Sequence, residues 1–174
     1  RDDADFPPGL LELSQPPAVL FAIGNVALLR APCVAIVGTR RATSYGERVT
    51  AELAAALARA GVTIVSGMAR GIDGVAHRAA LAAGGATAAV LGTGVDVAYP
   101  TSHGALHAAI ASRGLLLSEE LPGDRATGGS FPKRNRLIAA LARATIVVEA
   151  PEHSGALITA GCALDLGRTV AAVP

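Results

Sequence analysis

Val34-Ala35-Ile36-Val37-Gly38-Thr39-Arg40-Arg41-Ala42-Thr43-Ser44-Tyr45-Gly46 is the stretch on which the reading of this chain turns. It opens with a short, uncharged, β-branched run of the kind a parallel strand buried on both faces requires, and the run stops at a glycine followed by two arginines and small hydroxyl residues. From Ser44 onward Val49, Leu53, Leu57 and Ala60 recur at helical spacing, with Glu47, Arg48, Glu52 and Arg59 between them. A strand, a glycine turn and a helix whose first turn leaves N–H groups free make an anion site, because those donors and the helix dipole point at whatever occupies the turn. Arg40 and Arg41 add two guanidinium groups to it.

The same punctuation repeats along the chain. Val62 to Ser66 reads as a second buried strand, ending in Gly67-Met68-Ala69-Arg70-Gly71-Ile72-Asp73-Gly74 and followed by a helix through Ala76 to Leu81. Ala86 to Leu91 is a third strand, and Gly92 to Pro100 is its loop. A helix from about Ser102 to Ser112 follows, with Thr101 or Ser102 as the expected cap. Leu115 to Ser118, Thr145 to Val148 and Thr169 to Val173 complete the set, separated by helices entered at Phe131 and after Ser154, the former with Pro132 in its first turn. Alternation of this kind predicts an α/β fold, a doubly wound and mostly parallel sheet over residues 34–174. Residues 1–33, punctuated by Pro7-Pro8-Gly9 and Pro16-Pro17, form an irregular lead-in packed on the core's edge, with a possible strand at Val19 to Ile23. Gly38, Ser66, Gly92, Glu119 and Glu149 should then share one edge of the sheet, the carboxyl ends of the strands, where such folds bind ligands.

Composition narrows the function classes. With 174 residues, 51% of them hydrophobic, the chain can bury one sizeable core, and the net charge of +1 says nothing about partners. The longest uncharged run, Ala79 to Val95, is broken by Gly84-Gly85 and Gly92, so no membrane span is expected. The amino end, Arg1-Asp2-Asp3-Ala4-Asp5, does not read as a signal peptide, and the missing Met reads as a fragment or a processed piece. Cys33 and Cys162 are too few and too isolated for a disulfide framework and read as free thiols of a cytoplasmic protein.

The predicted ligand edge carries Arg40, Arg41, Arg70, Lys133, Arg134 and Arg136, and three aromatic residues, Tyr45, Tyr99 and Phe131. It also carries Asp73, Asp96, Glu119, Glu120, Glu149 and Glu152, some of which should cap helices or pair with the arginines. Lys133-Arg134-Asn135-Arg136 at a helix start sets an ammonium and two guanidinium forks beside free backbone N–H groups, which holds phosphates without reading bases. Phe131 or Tyr99 would supply a stacking face, although Tyr45 and Tyr99 taken singly read first as packing residues.

Five strings in order resemble the DNA-processing protein A (DprA/Smf) family. They are Val34 to Arg40 with Ser44-Tyr45-Gly46; Ser66 to Asp73 with Ala76-His77; Tyr99-Pro100; Phe131 to Arg136 with Ile138-Ala139; and Val148-Glu149-Ala150 with Ser154-Gly155 and Thr159-Ala160. The resemblance implies an extended Rossmann-like domain that binds single-stranded DNA without sequence preference, protects it and helps load the RecA recombinase in natural transformation, as a homodimer and without catalysis, cofactor or metal. It also implies a small helical domain before and a winged-helix-like domain after this one in full-length members, both absent here. The DNA-binding set is then Gly38, Arg40, Arg41, Ser66, Gly67, Arg70, Phe131, Lys133, Arg134, Asn135 and Arg136, with Arg134 alternatively pairing with Glu149 or Glu119, and Asn135 holding a loop.

Rival chemistries are weaker. His103 and His107 have metal-ligand spacing but no general base between them, and His77 reads as a helix-packing histidine. Ser66 and Ser154 lie outside any nucleophile elbow, and neither a G-x-G-x-x-G fingerprint nor a Walker A string occurs. The alternative is a nucleotide-binding or nucleoside-monophosphate-cleaving enzyme with Glu149 as base, against which stands a Glu149 carboxylate bonded to loop amides or to Arg40.

Overall fold

Uncharged β-branched and leucine runs bounded by glycine give this chain a layered sheet, seen here in a computed structural model that describes residues 6–174. In chain order the elements are β1 (Phe21–Gly24), β2 (Cys33–Val37), α1 (Ser44–Arg59), β3 (Thr63–Ser66), α2 (Ile72–Ala82), β4 (Thr87–Leu91), α3 (Gly104–Arg113), β5 (Leu115–Ser118), α4 (Ser130–Leu141), β6 (Ala144–Val147), α5 (Gly155–Asp165) and β7 (Thr169–Ala172). The strands lie in the order β1-β5-β4-β3-β2-β6-β7. β2 pairs in parallel with β3 on one side and β6 on the other, so the winding reverses direction at β2 and opens a crevice above it. Gly38, Ser66, Gly92, Glu119 and Glu149 all fall at the carboxyl ends of their strands, along one edge.

Alternate residues of each strand serve opposite layers. Ala35 and Val37 join Val65, Val90, Leu117, Leu137 and Ile138 on one face, while Ile36 and Ile64 pack with Ile72, Ala54, Ala58, Ala76 and Ala80 on the other. Much of the alanine-rich composition is thereby used to bring α1 and α2 close together over the central strands. Among the described residues no helix is long and apolar enough to cross a membrane. Both cysteines are free, and burial pushes the Cys33 thiol up to about 11.

Two expectations are corrected here. The lead-in does more than cover the core's edge: β1 begins at Phe21, two residues beyond Val19, and pairs antiparallel with β5, making the sheet mixed at that edge. Neither Thr101 nor Ser102 caps α3, because both lie inside a 3₁₀ turn, Thr101–His103, that precedes the helix.

His77 joins α2 to β4. The Thr87 hydroxyl donates to the Ile64 carbonyl at 2.8 Å, so it accepts from the His77 Nδ1–H at 2.7 Å, and Nε2 is left buried without a partner. Burial, followed by the positive charges of Arg134, His103 and Arg78, pushes this imidazole down to about 3. An unfolded histidine takes its proton near pH 6.5, so acid favours the unfolded chain, and the loss of stability runs from about pH 6.5 down toward 3. Asp73, whose carboxyl is raised by burial, acts in the opposite sense. The expected outcome is that His77→Leu removes up to about 1.4 kcal/mol of pH dependence per unit across this window, read by urea unfolding at several pH values. Parallel acid limbs in variant and parent would refute the assignment.

Candidate nucleic-acid interface

The residue that shapes this site is Arg134. It lies on α4 with only 6% of its surface exposed, and its Nη1 donates to the carbonyls of Gly67 (2.6 Å), just after β3, and of Val90, near the end of β4. Asp73, at the start of α2, accepts from the amides of Gly67 and Ala69 at 3.2 Å each, so the loop after β3 is held from both sides. Burial pushes the Arg134 guanidinium down to about 10, against the pull of Asp73, and it remains a cation at neutral pH. A Cβ on Gly67 would run into that guanidinium, and one on Gly38 would meet the Glu149 carbonyl at 2.9 Å, so both positions require glycine for close approach. Met68, in the left-handed region at φ 63°, is fixed by a hydrogen bond between its carbonyl and His103 Nδ1 at 3.0 Å.

Above this frame lies a crevice of about 300 Å³ lined by Arg40, Arg41, Arg70 and Arg134 and by the rings of Tyr99 and Phe131. The Arg40 guanidinium carbon stands 5.5 Å from the centroid of the Phe131 ring, and Phe131 lies 5.2 Å from Tyr99 at 36°. No carboxylate is among the described lining residues. A second lobe of about 260 Å³ runs from Gly38 and Thr39 to the start of α5 at Ser154 and Gly155, over Arg134, Asn135 and Asp73.

The crevice therefore gathers Arg40, Arg41, Gly67, Arg70, Phe131 and Arg134, and the second lobe gathers Gly38 and Asn135. Asn135 donates to the Gly155 carbonyl at 3.0 Å, as a loop-holding residue should. Ser66 does not join them: it is fully buried, and its hydroxyl donates to the Ile36 carbonyl at 2.6 Å. Arg134 pairs with neither Glu149 nor Glu119, because it lies under the loop with two carbonyls while those acids are engaged elsewhere. Each helical step turns about 100°, so the run Lys133-Arg134-Asn135-Arg136 splits. Lys133 and Arg136 sit away from the crevice lining, with Lys133 Nζ 3.5 Å from Glu120 and 3.7 Å from Glu119, and Arg136 Nη2 2.5 Å from Glu119 while its Nη1 donates to the Gln15 carbonyl.

Two further edge acids, Glu149 and Asp96, are also occupied. Glu149 Oε2 accepts from the Thr43 amide at 2.9 Å and its carbonyl from Thr39 at 2.6 Å, so this carboxylate clamps the loop after β2. Asp96 accepts from the Gly123 amide at 2.8 Å. His107 Nε2 bonds the Val95 carbonyl, and Tyr45 lies outside the crevice with its hydroxyl donating to the Pro174 carbonyl at 3.4 Å. Sequence reasoning missed the loop clips by Asp73 and His103. The signal available for the first was an acid in the opening turn of a helix directly after a glycine-rich loop.

The family model described as "DNA recombination-mediator protein A" matches residues 1–174. The chain is 54% identical over 160 residues to a putative DNA processing protein DprA from Mycobacterium tuberculosis, with 91% of this chain and 41% of that protein covered. It is 47% identical to protein Smf from Synechocystis, with 99% and 44% covered. The chain thus spans less than half the length of these two relatives. The fold superposes on DNA processing protein A from Streptococcus pneumoniae with a TM-score of 0.95 at 44% identity, covering 99% of this chain and 60% of the other. It also matches the Helicobacter pylori protein, described by its single-stranded DNA binding mode, with a TM-score of 0.89 at 36% identity, covering 97% and 78%. A molybdenum cofactor binding protein from Rippkaea orientalis, at 18% identity and a TM-score of 0.60, shares the fold.

Arg134→Lys tests the frame. Nη1 serves both carbonyls from the end of the longer arginine side chain, and a lysine ammonium ends about one bond short of that position, so this variant is expected to lose roughly 2–4 kcal/mol of unfolding free energy in a denaturant titration. Parental stability would show that the guanidinium does not hold the loops.

Proposed function

The chain belongs to the DNA recombination-mediator protein A family, and we propose that its sheet-edge crevice binds single-stranded DNA through the phosphate backbone, independently of base sequence. The observation that carries this reading is four guanidiniums and two aromatic rings around one crevice with no carboxylate among its described lining residues. Guanidinium forks take phosphate oxygens in pairs, and ring faces stack on any base, a combination suited to a flexible strand rather than to a groove. In our reading Arg40, Arg41 and Arg70 meet phosphates directly, Phe131 and Tyr99 offer the stacking face, and Arg134 supports them from below. Lys133, outside the lining but two residues beyond Phe131 on α4, would extend the track.

On the same footing we propose that the whole protein protects incoming DNA and assists the loading of RecA in natural transformation and recombination. It would do so as a homodimer in the cytoplasm, by binding and without catalytic turnover. The Glu149 carboxylate is already committed to the Thr43 amide, which argues against its use as the base of a nucleotide-cleaving enzyme.

Three or four phosphate contacts on a single strand predict a slope of roughly −2 to −3 in log K against log salt, at about −0.7 per contact. Arg40 is exposed, so Arg40→Ala should weaken binding of unrelated oligonucleotides alike and flatten the slope by about 0.7, with an almost unchanged melting temperature. Fluorescence anisotropy across a salt series reads this directly. An undiminished slope would sink the site, and tight mononucleotide binding that survives high salt would favour the enzyme reading.

A further inference from the structure

We propose that Glu120 holds the place of a DNA phosphate at Lys133, so that the rim of the crevice responds to a strand and not to a lone nucleotide. The proposal rests on the single-stranded DNA reading and names a residue that tunes it. Its basis is a contrast between two sets of cations at the same sheet edge. Among the described residues Arg40, Arg41 and Arg70 have no carboxylate within ion-pair distance. Lys133, on α4 next to Arg134, has two: Glu120 Oε1 at 3.5 Å and Glu119 Oε2 at 3.7 Å.

These two acids are not equivalent. The Glu119 oxygen nearest Lys133 is also 2.5 Å from Arg136 Nη2, and Arg136 is anchored in turn to the Gln15 carbonyl, so Glu119 belongs to the fastening of the lead-in. The Glu120 side chain is directed to Lys133. Lys133 and Glu120 retain 51% and 25% of their side-chain exposure, so a ligand from solvent can reach the ammonium and displace the carboxylate. The four charges, Lys133, Arg136, Glu119 and Glu120, balance, whereas Arg40, Arg41 and Arg70 in the crevice beside them have no carboxylate partner.

Length discrimination follows from this layout. A nucleotide confined to the crevice meets only the uncompensated arginines and leaves the rim undisturbed. A strand that continues over the start of α4 must exchange one of its phosphates for the Glu120 carboxylate at Lys133. In water-exposed pairs that exchange is nearly even, so Glu120 sets how much the additional phosphate contributes.

The test uses an unstructured oligothymidylate and thymidine monophosphate as probes, with anisotropy for the first and calorimetry for the second. Glu120→Gln is expected to tighten oligonucleotide binding about two- to five-fold at low salt, a gain that fades as salt screens exposed charges, while leaving monophosphate binding unchanged. The gain should vanish when Lys133→Ala is added. Unchanged or weaker oligonucleotide binding, a gain that persists without Lys133, or an equal gain for the monophosphate would each overturn the proposal. Arg40→Ala, measured alongside, separates the two levels: if it too leaves oligonucleotide affinity intact, the DNA site itself is wrong. If Arg40→Ala weakens binding while Glu120→Gln brings no gain, only the role of Glu120 falls.

Discussion

A guanidinium taken out of water is the constraint on which the ligand edge depends. Moving such a charge into a protein interior costs several kcal/mol unless its donors find acceptors; Arg134 Nη1 finds two carbonyls at the ends of neighbouring strands and the Asp73 carboxylate lies close enough to favour the cation, although the Arg134 Nε stays buried without a partner. Each of those acceptors is a backbone atom, so the cation fixes the path of the chain rather than a side-chain rotamer. The loop after β3 is consequently stapled by charges of both signs: Arg134 draws its carbonyl and Asp73 its amides. Glycine at position 67 is the geometric counterpart of that staple.

With the frame set, the electrostatics of the edge become a matter of local accounting. A chain of net charge +1 presents a cationic crevice because its acids are absorbed by nearby amides and cations: Asp73 and Glu149 clip loops, Asp96 fastens the loop after β5, and Glu119 and Glu120 face α4. Field rather than net charge is what a polyanion meets. The arginines left over stand next to two rings, and one of them lies over Phe131.

The parallel strands were legible because β-branched runs ending in glycine have few other uses, and the family resemblance was carried by motifs that the fold does bring to one edge. β1 was not legible as a sheet member: its four residues are mostly exposed and lack a buried-face pattern, so only its pairing with β5 reveals it. Within the site, Arg40 and Phe131 could be placed from strand and helix ends alone. The facing of Lys133 and Arg136 depended on the phase of α4, and that phase is set by where the helix begins, at Ser130. The sequence puts Ser66 in the DNA-binding set because it closes a strand at the ligand edge, yet the neighbouring strand's carbonyl claims its hydroxyl. Glu149 bonds a loop amide, one of the two partners its position at a strand end suggested, whereas the roles of Asp73 and His103 rest on bonds to backbone atoms that side-chain patterns encode poorly.

The position of β2 at the reversal of the winding has a consequence for synthesis on the ribosome. β2 gains β3 as a neighbour soon after it emerges, but its other edge waits for β6, which begins at Ala144. β1 waits in the same way for β5. Until residues 144–147 have been made, the strand at which the winding reverses is therefore an open edge, and β1 stays unpaired until residues 115–118 follow. A nascent chain in that condition is the form most exposed to wrong pairing. The crevice itself spans both halves, β3 and β4 on one side and the loop after β6 on the other, so it comes into being only when the second half has docked.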